Sequence, residues 1–154
     1  MKILHTADWH VGKTVRGHSR ADEHRAVLDE IVAITRERGI DIVVVAGDLF
    51  DTASPTPESE HIVYQALLGL RDAGAHVVVI AGNHDNPNRL LAVAPLFGEL
   101  SVRVLAHPTR PDDGVVVDLV ARDGATARLA LLPFVSQRGI VRADDLMRGS
   151  GAEH

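Results

Sequence analysis

The sequence predicts an α/β fold, a layered β-sheet core flanked by helices, and two observations lead there. Apolar, β-branched runs alternate with helical segments between residues 2 and 97, in the order strand, helix, strand, helix, strand, helix. Two of those runs, 40–46 (IDIVVVA) and 76–81 (HVVVIA), are almost continuously apolar. Strands that are covered on both faces read that way, and they belong to parallel sheets with right-handed crossovers.

Each element has a local reason. Residues 2–7 (KILHTA) read as a short first strand. Ser19 is a candidate helix cap, with Asp22 three residues later completing a capping-box pattern. Over 20–38 the apolar residues Val27, Leu28, Ile31 and Ile34 fall on one helical face, and Gly39 ends the helix. Thr56-Pro57 starts a second helix, with Glu58 and Glu60 in its first turn, running to about Ala73 before Gly74 stops it. A third helix is expected over 88–97. Beyond residue 100 the texture changes. Residues 102–105, 115–120 and 127–132 read as short strands, separated by turns at Pro111-Asp112-Asp113-Gly114 and Arg122-Asp123-Gly124. They suggest hairpins and a second sheet. The C-terminal run 148–154 carries no closing element.

Bulk properties narrow the class. The 154 residues are 45% hydrophobic and 24% charged, which suits one globular domain with a real core. There is no cysteine, which excludes disulfides, thiolate metal sites and cysteine nucleophiles. No apolar stretch approaches a membrane span, and no apolar segment of signal-peptide type follows Met1. A cytoplasmic protein with no membrane partner is expected. The net charge of −5 does not advertise nucleic-acid binding.

The chemistry lies in three short clusters: Asp8-Trp9-His10, Gly47-Asp48-Leu49-Phe50-Asp51 and Gly82-Asn83-His84-Asp85. Each follows an apolar run, so each is placed at the carboxyl end of a strand, where such sheets gather their ligands. Asp8 and His10 can reach one ion. Asp48 follows a glycine that lets backbone approach closely, and a carboxylate can bridge two ions. Asn83 offers a neutral carbonyl oxygen. This mixed oxygen and nitrogen set suits Mn²⁺, Mg²⁺ or Fe²⁺ better than a closed zinc site. His84 is placed to protonate a leaving oxygen or stabilise charge, with Asp51 or Asp85 as the carboxylate that fixes its tautomer. Lys13, Arg16, His18 and Arg20 follow the first cluster and are candidates for lining the approach of a phosphate backbone. His24 and Trp9 read as packing residues, and His107 as a surface loop residue.

As an ordered set the clusters resemble the first half of the calcineurin-like metallophosphoesterase signature. The stretches His5–Lys13, Gly47–Asp51 and Ser19–Leu28, with Pro87 and Arg89-Leu90 after Asn83-His84-Asp85, are similar to SbcD-type DNA exonuclease subunits. The resemblance covers essentially the whole chain. It implies a metallophosphoesterase-type core and two Mn²⁺ ions, with Asp8 and His10 on the first, Asp48 bridging and Asn83 on the second. It further implies His84 as the catalytic histidine, with Asp51 as its carboxylate partner. The implied reaction is in-line attack of metal-activated water on a DNA phosphodiester, on double- or single-stranded DNA. The setting would be DNA repair, recombination or replication, with an SbcC-type ATPase as partner and a homodimer formed through the region of the second and third helices.

The family signature continues with a lone histidine and a Gly-His-x-His, and neither follows His84 here. Residues 1–154 are therefore expected to be the N-terminal half of a single, truncated nuclease domain, one that by itself binds metal weakly and cuts DNA poorly. Two other readings remain. One is a different phosphoesterase of the superfamily acting on nucleotides or phosphoproteins, although Thr52-Ala53 stand where its protein phosphatases carry Arg-Gly. The other is a non-catalytic assembly module.

Overall fold

The computed structural model describes residues 1–110 and 114–136. Four parallel strands, β1 (Ile3–Thr6), β4 (Ile42–Ala46), β5 (His76–Ile80) and β6 (Val102–Leu105), form one sheet in that spatial order. Three crossover helices join them: α1 (Ala21–Arg38), α2 (Pro57–Asp72) and α3 (Pro87–Glu99). Because strand order follows chain order, right-handed crossovers put all three helices on one face. Two small hairpins complete the fold, β2 (Thr14–Val15) with β3 (His18–Ser19) and β7 (Val116–Val120) with β8 (Thr126–Ala130).

Strand alternation divides the core. Val43, Val45, Val77 and Val79 point to the helices and pack with Leu28, Ile62, Val63, Leu67, Leu70, Leu90 and Phe97. Val78, Ile80 and Leu105 point the other way and pack against Val117, Leu119, Leu129 and Leu131 of the β7–β8 segment. This is why 76–81 is apolar on both faces: helices cover one side and a hairpin the other. The strand beginning at 102 belongs to the parallel sheet as its edge, not to a hairpin; only β7 and β8 form the second sheet. The turn at 122–124 forms as expected, with Gly124 at φ 82° and Asp123 Oδ1 accepting from Ala125 N–H at 3.0 Å. Most of the Pro111–Gly114 turn and the run 148–154 lie outside the described residues.

Helix ends follow local chemistry in two cases out of three. Thr56 Oγ1 accepts from Ser59 N–H at 3.2 Å with Pro57 at the first helical position, and Asn86 Oδ1 accepts from Asn88 and Arg89 N–H ahead of Pro87. The expected capping box on α1 does not form. Arg20 is the N-cap and its side chain makes no cap bond, while Ser19 Oγ reaches only Ala21 N–H and Asp22 pairs with Arg25. The inward face of α1 is also rotated from the expected one. Leu28 and Thr35 are buried, with Ile31 and Val32 packed beside them, but Val27 is 55% and Ile34 38% exposed. The close approach of Val32 to Gly69 on α2 sets that rotation, because a Cβ on Gly69 would meet Val32 Cγ2 at 3.1 Å. On α2 the apolar residues Ile62, Val63, Ala66, Leu67 and Leu70 all face the core.

One buried carboxylate ties the lower end of the sheet together. Asp41 Oδ2 accepts from Lys2 N–H at 2.7 Å and Oδ1 from Arg122 N–H at 3.2 Å. Arg122 also caps the carbonyls of Ile40 at 3.2 Å and Gly74 at 2.9 Å. The Lys2 and Arg122 backbone bonds hold the Asp41 carboxyl below its ordinary value of 3.8. A carboxyl lowered on folding stabilises fully above pH 3.8, and that stability is lost as pH falls through the lower folded value. Asp41→Asn is therefore expected to lower the urea midpoint at neutral pH. It should also flatten the fall in stability below pH 3.8, read from denaturation midpoints across that range.

Candidate metal centre

All three clusters sit at the carboxyl ends of adjacent strands, and backbone bonds tie the first loop to the second. Asp8 N–H donates to Gly47 O at 3.1 Å, His10 N–H to Asp48 O at 2.9 Å and Val11 N–H to Leu49 O at 3.0 Å. Asp51 N–H returns to Val11 O at 3.1 Å. The first loop thus continues the β1–β4 pairing past the strand ends. Trp9 fills the space beneath, buried, with Nε1–H donating to Thr6 Oγ1 at 2.9 Å.

Asp8, His10 and Asp48 all have left-handed backbone, at φ 55°, 45° and 51°. Few non-glycine residues adopt it, and each instance costs on the order of 1–3 kcal/mol unless its surroundings enforce it. Three in one site mark a backbone bent to aim side chains. Gly47 and Gly82 make the bend possible. A Cβ on Gly47 would lie 2.7 Å from Gly82 Cα, and one on Gly82 would collide with Asp48 Oδ1 and N.

The side chains converge. One donor atom each from His10, Asp48 and His84 lies within 4.8 Å of the others. His10 Nε2 is 3.9 Å from Asp8 Oδ1 and also 3.9 Å from Asp48 Oδ2. That is too long for a hydrogen bond. The three groups nonetheless turn donor atoms toward one another without bonding, and that set of oxygen and nitrogen donors would suit a divalent cation. Asp48 is buried; its Oδ1 accepts from His84 N–H at 2.9 Å, and Oδ2 is the oxygen turned to His10. The residues fit a divalent cation, which His10, Asp48 and His84 could hold with Asp8 at the rim.

Asn83 is exposed one residue before His84, and no hydrogen bond ties it to the cluster among the described residues. The expected pairing of the Asp51 carboxylate with His84 is not the arrangement found. His84 Nδ1 lies 2.9 Å from the Asp51 main-chain oxygen, while Asp51 Oδ1 is 3.5 Å from His10 Nδ1. The bond from Asp51 N–H to Val11 O fixes this backbone so that the carbonyl faces the third loop and the side chain the first. Asp85, the other candidate, is no partner of His84 either. It is buried and clamps two loops, Oδ1 accepting from Phe50 N–H at 3.1 Å and Oδ2 from Gly82 N–H at 2.8 Å. Burial pushes its carboxyl up, against the pull of those two bonds. Its signal in the sequence was its place at the end of the third cluster, beside His84.

The basic residues past the first cluster form a small β-ribbon. Arg16 and Gly17, at φ 50° and 79°, make the tight turn between β2 and β3. Lys13, Arg16 and His18 are exposed. Arg20 is engaged at its base by Glu23, with Nε at 2.8 Å. His24 is half-buried, as expected of a packing residue, and that burial lowers its pKa. His107 is exposed, 3.4 Å from Asn88 Oδ1. A cleft of about 440 Å³ lined by His76, Val102, Arg103 and Leu119 touches none of the cluster.

Gly82→Ala is expected to displace Asp48, costing about 1–3 kcal/mol as an overpacked contact. Divalent-cation affinity should fall with it, read by calorimetric titration beside a urea melt. Gly98→Ala on α3, where a Cβ meets nothing, should instead stabilise by about 0.5–1 kcal/mol and leave cation binding alone.

Comparison with known proteins places this geometry. Residues 1–134 match the family model described as calcineurin-like phosphoesterase. The chain is 50% identical over 110 residues to the SbcD subunit of nuclease SbcCD from Bacillus subtilis, covering 71% of this chain and 28% of that protein. It is 40% identical over 145 residues to the protein of that name from Rhodobacter capsulatus, covering 89% and 36%. With the one from Escherichia coli K12 it shares 34% over 150 residues, covering 97% and 36%. The chain thus spans about a third of the length of the curated relatives it matches. The match over 1–134, together with the three clusters at the ends of one parallel sheet, means that the chain belongs to the calcineurin-like phosphoesterase family.

Proposed function

We propose that this chain is the N-terminal, ligand-bearing portion of a metal-dependent DNA nuclease subunit of SbcD type, with residues 1–154 forming part of a single nuclease domain. The observation that carries the reading is the position of His10 Nε2, 3.9 Å from a carboxylate oxygen on each side. When bound, two divalent ions, Mn²⁺ by preference, supply Lewis-acid polarisation of a phosphoryl oxygen and lower the pKa of water. The chain's own residues would hold them: Asp8 and His10 the first, Asp48 both, and Asn83 the second. His84 is proposed as the catalytic histidine beside the scissile phosphate. Its Nδ1 faces a carbonyl, which only accepts, so the neutral ring carries its proton there and keeps a lone pair on Nε2. It therefore donates from Nε2 only as an imidazolium, and otherwise accepts or ligates.

A polymeric substrate is favoured over a small one by the shape of the site. The Asp8 side chain is 72% exposed, and Asn83 and His84 are exposed, so the site opens broadly to the surface above the more buried His10 and Asp48. The β2–β3 ribbon beside it offers Lys13, Arg16 and His18 to phosphates, with Arg20 held back by Glu23. DNA, double- or single-stranded, is the proposed substrate. An SbcC-type ATPase is the proposed partner, by analogy with relatives that are named as one subunit of SbcCD, and DNA repair or recombination the setting. Leu91 and Leu96 on α3 are exposed, at 45% and 68%, and are the proposed contribution to a homodimer. Among the described residues no helix is long and apolar enough to cross a membrane; the cytoplasm is the proposed location.

The test is Mn²⁺-dependent cleavage of linear duplex DNA by this chain extended to the length of its relatives. Asp48→Asn should abolish it, and His84→Gln should reduce kcat by about 10²–10⁴-fold. Full activity in either variant would sink the mechanism. Robust nuclease activity from residues 1–154 alone would refute the proposal that further histidine ligands are needed. For the ribbon, Arg16→Ala should weaken DNA binding uniformly across sequences and reduce the slope of log affinity against log salt by about 1.

A further inference from the structure

Asp51 lies between two histidines and addresses each with a different group. Its main-chain oxygen is 2.9 Å from His84 Nδ1. Its carboxylate Oδ1 is 3.5 Å from His10 Nδ1, an atom that is buried and makes no hydrogen bond. The two rings meet edge to face, with centroids 4.8 Å apart and planes at 89°.

A neutral imidazole carries one proton, and the neighbours of its two nitrogens decide which one holds it. For His84 the carbonyl settles the matter in favour of Nδ1. For His10 the two ends compete. Oxygens of Asp8 and Asp48 stand 3.9 Å from Nε2 and draw the proton there. A proton on Nε2 would cover the lone pair that a cation needs. The only carboxylate at the opposite end among the described residues is that of Asp51.

We propose that Asp51 is the positioning residue for His10. Its carboxylate holds the His10 proton on Nδ1, while its carbonyl does the same for His84, so one residue sets both tautomers and leaves both Nε2 atoms with lone pairs. The proposal rests on the metal-site reading above and departs from the assignment of this carboxylate to His84. The 3.5 Å separation needs a contraction of about 0.5 Å to become an ordinary N–H···O bond. Metal-binding histidines generally hand their second ring N–H to a carboxylate or carbonyl, and loss of that partner costs about 10–100-fold in metal affinity.

The experiment is ¹⁵N NMR of the histidine rings in the metal-free protein at about pH 8, above the usual imidazole range. In the unaltered protein both His10 and His84 should carry the proton on Nδ1. In Asp51→Ala, His10 should move to the Nε2–H form. His84 should not move, because the main-chain carbonyl remains, and it serves as the internal control for folding. Asp51→Asn, whose amide oxygen still accepts, should keep His10 on Nδ1. Mn²⁺ affinity, read by electron paramagnetic resonance, should fall about 10–100-fold in Asp51→Ala and less in Asp51→Asn. His10 found as Nε2–H in the unaltered protein overturns the proposal even if the alanine variant fails to fold, and so does a His10 tautomer unmoved in a folded Asp51→Ala. Failure of the unaltered protein to bind Mn²⁺ would instead remove the metal-site reading, while the tautomer result in metal-free protein would still decide the role of Asp51.

Discussion

The backbone contact between Gly47 and Gly82 governs how this site is assembled. Parallel pairing of β4 with β5 brings the two strand ends side by side, Ala46 opposite Ile80, so the loops that follow must turn away within a residue or two. Both positions lack a Cβ, and the chains close to a distance no side chain would permit. Asp48 can then fold into left-handed backbone, bury its carboxylate and take the His84 N–H. Without that contact the second and third loops would stand apart, and the donor atoms of Asp48 and His84 would not converge.

Strain and charge both accumulate there, and other parts of the fold offset them. Left-handed backbone at Asp8, His10 and Asp48 costs several kcal/mol together, a sizeable share of the roughly 5–15 kcal/mol by which a domain is stable. The bonds from Asp8 and His10 N–H to the second loop and the two bonds accepted by Asp85 hold the loops in place. Beneath them the fully buried Val43, Val45, Val77 and Val79 keep the strand ends from shifting. The carboxylates of Asp8 and Asp48 each stand 3.9 Å from the same imidazole nitrogen, a concentration of negative charge that would favour a bound cation. Asp8 stays exposed, and so do Lys13, Arg16 and His18 in the segment that follows it, in a chain whose net charge is −5.

Much of this was legible in the residues because the signals were local. The continuous apolar runs at 40–46 and 76–81, Thr56-Pro57 and Gly74 required no knowledge of distant neighbours, and the sheet and α2 follow them closely. The face of α1 did not follow, because Val27, Leu28, Ile31 and Ile34 fit one stripe by periodicity, while Gly69 on another helix decided which part of it turned inward. Residues 102–105 read as a hairpin strand because a run of four residues says nothing about its partner; β5, already in place, offered an open parallel edge.

The ordered clusters at the ends of apolar runs determined by themselves that oxygen and nitrogen donors would gather at one edge of a parallel sheet, since side-chain type and strand-end position are both written in sequence. Which donor faces which was decided by tertiary structure alone. Asp51 and Asp85 both stood near His84 in sequence, with Asp51 the expected partner, and neither carboxylate pairs with it. Asp85 turned inward to clamp Phe50 and Gly82, and Asp51 turned its side chain to His10 and its carbonyl to His84. The physical reason is that a side chain's direction in a loop depends on where that loop's backbone is tied. Here the ties run between loops far apart in the chain, from Asp51 to Val11 and from Asp48 to His84.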